Sequence, residues 1–234
     1  MQTAATVPTQ ADQLFEKLEC DRMIKISIEE ENTPVLVPES TLRRASQYFC
    51  GALDHAHLGN GQRDTLKFPE TKQTWKILLL WIVTGQGIEF EELDSDGLDD
   101  SRPILPLSRA WIAADKYLMA PLQDKIMLEI IRALESHELD INTAKEVFEN
   151  TAPDSKLRRV AAEEVTFELS IGFLEHEALQ ALESAVGGSM SVLKVYSRVT
   201  DVEDLPNHRA DLPLDLWREY MVQERCKVID WNEV

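Results

Sequence analysis

At 234 residues, 44% of them hydrophobic and 28% charged, the chain has the length and balance of a globular protein with a sizeable core, built as one large domain or two small ones. A formal net charge of −18 sets its surface against phosphate backbones and anionic membrane faces, so neither nucleic acid nor membrane is an expected partner. No apolar run approaches the ~18 residues of a membrane-spanning helix, and the scattered Cys20, Cys50 and Cys226 form no disulfide framework, which points to a reducing cytoplasmic or nuclear compartment.

Residues 1–10 carry neither a basic start nor an apolar stretch and read as a disordered leader. Over 11–19, Leu14, Phe15 and Leu18 share one face of a short helix that must dock on something to be stable. The period then changes. Ile24, Ile26 and Ile28 alternate with Lys25 and Ser27, the two-residue repeat of a half-buried strand. A second strand over 34–38 completes a hairpin, and its bracketing Pro34 and Pro38 place it near a sheet edge. Leu42, Ala45, Phe49 and Leu53 recur at helical steps, with Ser46 positioned to break the run and cap a second helix. Leu66 and Phe68 point inward from a third short strand.

Residues 72–84 carry Trp75, Ile77, Leu78, Leu79, Leu80, Trp81, Ile82 and Val83, which leaves almost no polar face. A helix of that kind is expected in the middle of a domain, and Gly85 and Gly87 end it. The acidic stretch 89–106, with Pro103 and Pro106, reads as a surface loop. Helices follow over 107–118 and 122–134, the latter entered through Pro121. The remainder is helical over 142–150, 155–170, 173–186, 190–198 and 214–222. In the 155–170 helix, Leu157, Ala161, Val165 and Leu169 form the apolar face, and Arg158, Arg159, Glu163 and Glu168 lie off it.

This order, a strand hairpin, a helical pair, a short strand, an apolar helix and two more helices, resembles the BTB/POZ fold. Leu42 with Ser46, Tyr48 and Phe49 looks like the family's segment of a leucine followed by serine, any residue, an aromatic and phenylalanine. The run from Leu66 to Glu70 resembles its third strand, and that from Leu78 to Gly85 is similar to its helix ending in threonine-glycine. The run from Ala110 to Leu118, followed by Leu122, looks like its next helix pair. The match spans about 21–134, and the segments 37–39 and 149–159 resemble a variant found in fungal proteins. The resemblance implies an α+β BTB/POZ domain over 11–136, interrupted by the acidic loop 89–106, and a helical C-terminal region over 137–234. It also implies protein partners: a second copy of the chain, and a cullin scaffold for which the protein is a substrate adaptor. The expected dimer face is Leu14, Phe15 and Leu18 with Ile24 and Ile26 of the first strand; the other reading of the Leu14, Phe15 and Leu18 face is that it packs on its own domain.

Two departures separate this chain from the family pattern. Pro38 and Glu39 stand where many members have a histidine and a basic residue beside a co-repressor groove. The acidic stretch 89–106 lengthens a connection close to where members meet cullins.

Candidate chemistry is sparse. His55 and His57 are a pair without a readable third and fourth ligand. Glu92, Asp94, Asp96 and Gly97 mimic the opening of a calcium loop, yet its closing twelfth position is Pro103. No nucleophile elbow or phosphate-cradling loop is present, so no catalytic, metal-binding or cofactor-binding residue is assigned and no small-molecule substrate is expected. The expected function is a non-catalytic protein–protein interaction module, an adaptor or scaffold. The alternative is a small enzyme whose site is assembled from dispersed residues.

Overall fold

A computed structural model describes residues 21–28, 33–55, 64–86, 104–172, 188–196 and 214–223, together with positions 180 and 182. The protein is mixed α+β, mostly helical, with a small three-stranded sheet among the described residues. It divides into two compact units, Met1–Lys72 and Gln73–Val234. The expected boundary between 136 and 137 falls inside the second unit.

The first unit is built on β1 (Met23–Ile28), β2 (Val35–Pro38) and β3 (Thr65–Phe68) in the order β2-β1-β3. β2 runs antiparallel to β1, with Ile24 opposite Val37 and Lys25 opposite Leu36. β3 runs parallel to β1, with Ile26 beside Leu66 and Ile28 beside Phe68. The hairpin, the outer position of the proline-bracketed strand and the strand at Phe68 all follow the sequence pattern. Period-two alternation buries Ile24, Ile26, Ile28, Val37 and Phe68 on one face. A parallel neighbour requires a crossover, and here it passes through α1 (Glu39–Ala45) and α2 (Gln47–His55). Ser46 is extended and separates the two helices, and its Oγ accepts the Phe49 N–H at 3.4 Å, as the capping pattern predicts. The Phe49 ring meets Phe68 edge-on at 6.2 Å, which ties α2 to the buried face of the sheet.

In the second unit, α3 (Lys72–Thr84) is not apolar all round in its surroundings. Trp75, Ile77, Leu78 and Ile82 are buried, Leu79, Leu80 and Trp81 are half-buried, and Val83 is 55% exposed. The helix therefore lies on the core with one face outward rather than within it. Gly85 ends it with φ +73°, a conformation glycine adopts without steric cost.

α4 (Ile104–Lys116) begins three residues before the expected helix start. Ile104 and Pro106 are buried in its first turn, where proline's missing N–H costs nothing, so 104–106 is helix rather than loop. The rest of the acidic stretch lies outside the described residues. α5 (Ala120–Ser136) packs closely on α4, and Trp75 and Tyr117 bring their rings to 6.0 Å.

α6 (Ile141–Asn150) and α7 (Lys156–Ser170) start on side-chain caps. Asp140 accepts the N–H groups of Asn142 and Thr143, and Ser155 accepts that of Arg158. α8 (Gly188–Tyr196) and α9 (Leu214–Tyr220) follow among the described residues. The 173–186 expectation falls almost wholly outside the described residues. No helix among those described is long and apolar enough to cross a membrane.

Candidate interaction surface

The sheet of the first unit has two unlike faces. Its inner face holds both of the expected dimer-face residues that are described: Ile24 and Ile26 are fully buried. Their side chains belong to the core of the chain, because alternation turns them toward the side on which Phe68 and Phe49 meet. Leu14, Phe15 and Leu18 lie outside the described residues.

The outer face is formed by the intervening positions. Met23 and Pro38 are paired across the first two strands, as are Lys25 and Leu36; Thr65 and Lys67 stand beside Lys25 and Ser27 on the third. Met23 is 41% and Leu36 54% exposed, and both lysines are exposed.

A chain of ion pairs joins the ends of the strands to the helical pair. Arg22 Nε lies 2.6 Å from Glu39 Oε2 and 3.7 Å from Asp64 Oδ1. Arg43 bridges Glu39 at 2.7 Å and Asp54 at 2.8 Å. The Asp54 hydrogen bond, then that of Glu39, holds the Arg43 guanidinium above its ordinary pKa. Asp21 accepts the Ser40 N–H through both carboxylate oxygens, at 3.3 and 3.2 Å, which supplies α1 with the cap that Pro38 lacks.

The second unit gathers buried polar groups, three of which the sequence pattern set off the apolar face of the 155–170 helix. Arg158, Glu163 and Glu168 are nearly inaccessible, as are Asp124 and Glu164. α7 packs against α6, α8 and α9, which encloses Arg158 and Glu163 while Arg159 stays exposed. Arg158 donates to the carbonyls of Phe148 (2.6 Å) and Thr151 (2.8 Å) and to Ser191 Oγ (2.9 Å), and lies over the Phe148 ring. Burial lowers its pKa.

Arg159 pairs with Glu163 at 2.8 Å and Glu219 at 3.0 Å and covers the Tyr220 ring. Burial works against its charge, but Glu163 and Glu219 more than offset it and raise the pKa. Tyr220 donates its hydroxyl to Glu163 at 2.8 Å, and burial, reinforced by that carboxylate, pushes the phenol up. The Asp124 carboxylate accepts the N–H groups of Val222 and Gln223, which anchors the chain beyond α9 on α5. Arg158, Arg159, Glu163 and Asp124 each tie one helix to another or to the segment that follows it. The adjacent Ala161 and Ala162, small enough for close helix approach on two sides, were the one sequence signal that α7 would be surrounded.

His55 closes α2 at an exposed position, and His57 and the calcium-like stretch lie outside the described residues. Among the described residues no three His, Cys, Asp or Glu side chains gather as metal ligands. Neither a family model nor a curated protein matches this chain.

Proposed function

We infer that the chain is a protein–protein interaction module of the BTB/POZ type with a helical extension, acting by binding rather than catalysis. The observation that carries the reading is the order of elements: an antiparallel hairpin, a helical pair crossing to a parallel third strand, then α3, α4 and α5. The four stretches that resemble the family fall on consecutive parts of that order: α1 with α2, β3, α3, and α4 with the start of α5. The region 137–234 is read as a second lobe packed on the module. In support, Arg109 of α4 holds Glu146 of α6 through two hydrogen bonds of 2.6 and 2.8 Å, and Asp124 of α5 holds the chain after α9.

Within this reading the module pairs with a second copy through Leu14, Phe15 and Leu18, and contacts a cullin as an intracellular adaptor. A two-fold dimer is the commonest closed assembly, and a short helix needs a surface on which to bury its apolar face. Light scattering on the purified chain at tens of micromolar is expected to give twice the chain mass, and a monomer removes the dimer. A pull-down with purified cullin tests the adaptor role, and no binding at micromolar concentration leaves the scaffold role.

A further inference from the structure

We propose that the outer face of the β2-β1-β3 sheet docks an extended segment of another protein in which acidic and apolar residues are combined. The inference rests on the reading of the chain as an interaction module and adds the chemistry of one partner. The face is divided lengthwise. Met23, Leu36 and Pro38 make an apolar strip across the first two strands; Lys25, Ser27, Thr65 and Lys67 make a basic and hydroxyl-bearing strip across β1 and β3. No outward position is acidic, although the chain carries 42 Asp and Glu against 24 Lys and Arg. At the ends of the strands, Glu39 and Asp64 are already engaged by Arg22 and Asp21 by the Ser40 N–H. Lys25 and Lys67 have no carboxylate within ion-pair distance among the described residues.

Lysine on an edge strand commonly serves to prevent pairing with other chains. That accounts for Lys67. It does not account for Lys25, which sits on the central strand, flanked on both sides.

Charge and size select the occupant. The same face of a second copy carries no carboxylate to pair with Lys25 or Lys67, so self-association is disfavoured here. Three strands spaced ~4.8 Å apart, the longest of six residues, offer roughly 300 Å². A stable globular partner needs about 800 Å² per side, so the face suits a segment rather than a domain. Apolar side chains of that segment cover Met23 and Leu36, and its carboxylates meet the two lysines.

The test is selection of displayed random peptides of about ten residues, enough to cross the sheet, on the full-length chain, followed by fluorescence anisotropy with the enriched peptides. Peptides combining Asp or Glu with apolar residues are expected. The K25E/K67E double variant should bind them about tenfold more weakly, since each exposed pair turns from attractive to repulsive. L36S should weaken them as well. Replacing the peptide's Glu by Lys should restore binding to K25E/K67E, which also shows that the variant is folded. Enrichment of basic peptides, no enrichment, or acidic peptides indifferent to both variants overturns the proposal. If the chain still dimerises or captures cullin in those cases, the interaction-module reading stands without this face.

Discussion

Replacing Arg158 by methionine, which keeps the stem and removes the charge, tests how the helical region is held together. α6 ends at Asn150 with an extended Thr151, and the last carbonyls of a helix have no partner within it. The Arg158 guanidinium supplies one, reaching Phe148 and Thr151 and extending to Ser191 of α8. Hydrogen bonds from a charged donor contribute about 1.5–3 kcal/mol each when broken singly. Against them stands the cost of burying the guanidinium, visible as its lowered pKa. The net loss expected for Arg158→Met is about 2–4 kcal/mol, because buried carbonyls are left without a donor. For a chain of this size that lowers Tm by roughly 5–15 °C. Lysine retains the charge but not the planar fork, so Arg158→Lys should fall between the two. Urea unfolding followed by circular dichroism measures both variants. A methionine variant within about 0.5 kcal/mol of wild type, the range of an ordinary surface change, refutes the view that Arg158 caps α6.

Three further outcomes follow from the same structure. Ile26→Asp should cost about 4 kcal/mol or more, or prevent folding, since Ile26 is fully buried between Val35 and Leu66 in the sheet; near-native urea stability refutes it. Asp140→Ala should cost about 1–2 kcal/mol by uncapping α6, read from the urea midpoint, with Asp140→Asn largely restoring it. Tyr220 has a folded pKa above its ordinary 10.0, so its contribution is complete below pH 10 and is lost as pH rises toward the folded value. Wild type should therefore lose stability relative to Tyr220→Phe at up to about 1.4 kcal/mol per pH unit above pH 10; parallel urea curves at each pH refute the assignment.

Much of the local architecture was legible because it follows from short-range patterns. Alternation at Ile24, Ile26 and Ile28, the bracketing Pro34 and Pro38, the break at Ser46 and the stop at Gly85 each act through residues close in sequence. Pro106 was misleading for a local reason as well. Proline is compatible with both a loop and a first helical turn, and the burial of Ile104 beside it decides in favour of helix.

Periodicity determined by itself which side chains share a face, since helix and strand geometry require it. Only the tertiary structure decided what each face meets. Ile24 and Ile26, read as a surface for a partner, are core because α2 brings Phe49 to their side of the sheet. α3 keeps Val83 outward although its composition suggested burial all round. Arg158 and Glu163, which lie off the apolar face, are enclosed because α7 has neighbours on several sides, and a polar group is buried only where distant segments bring the hydrogen-bond partners that offset its lost water.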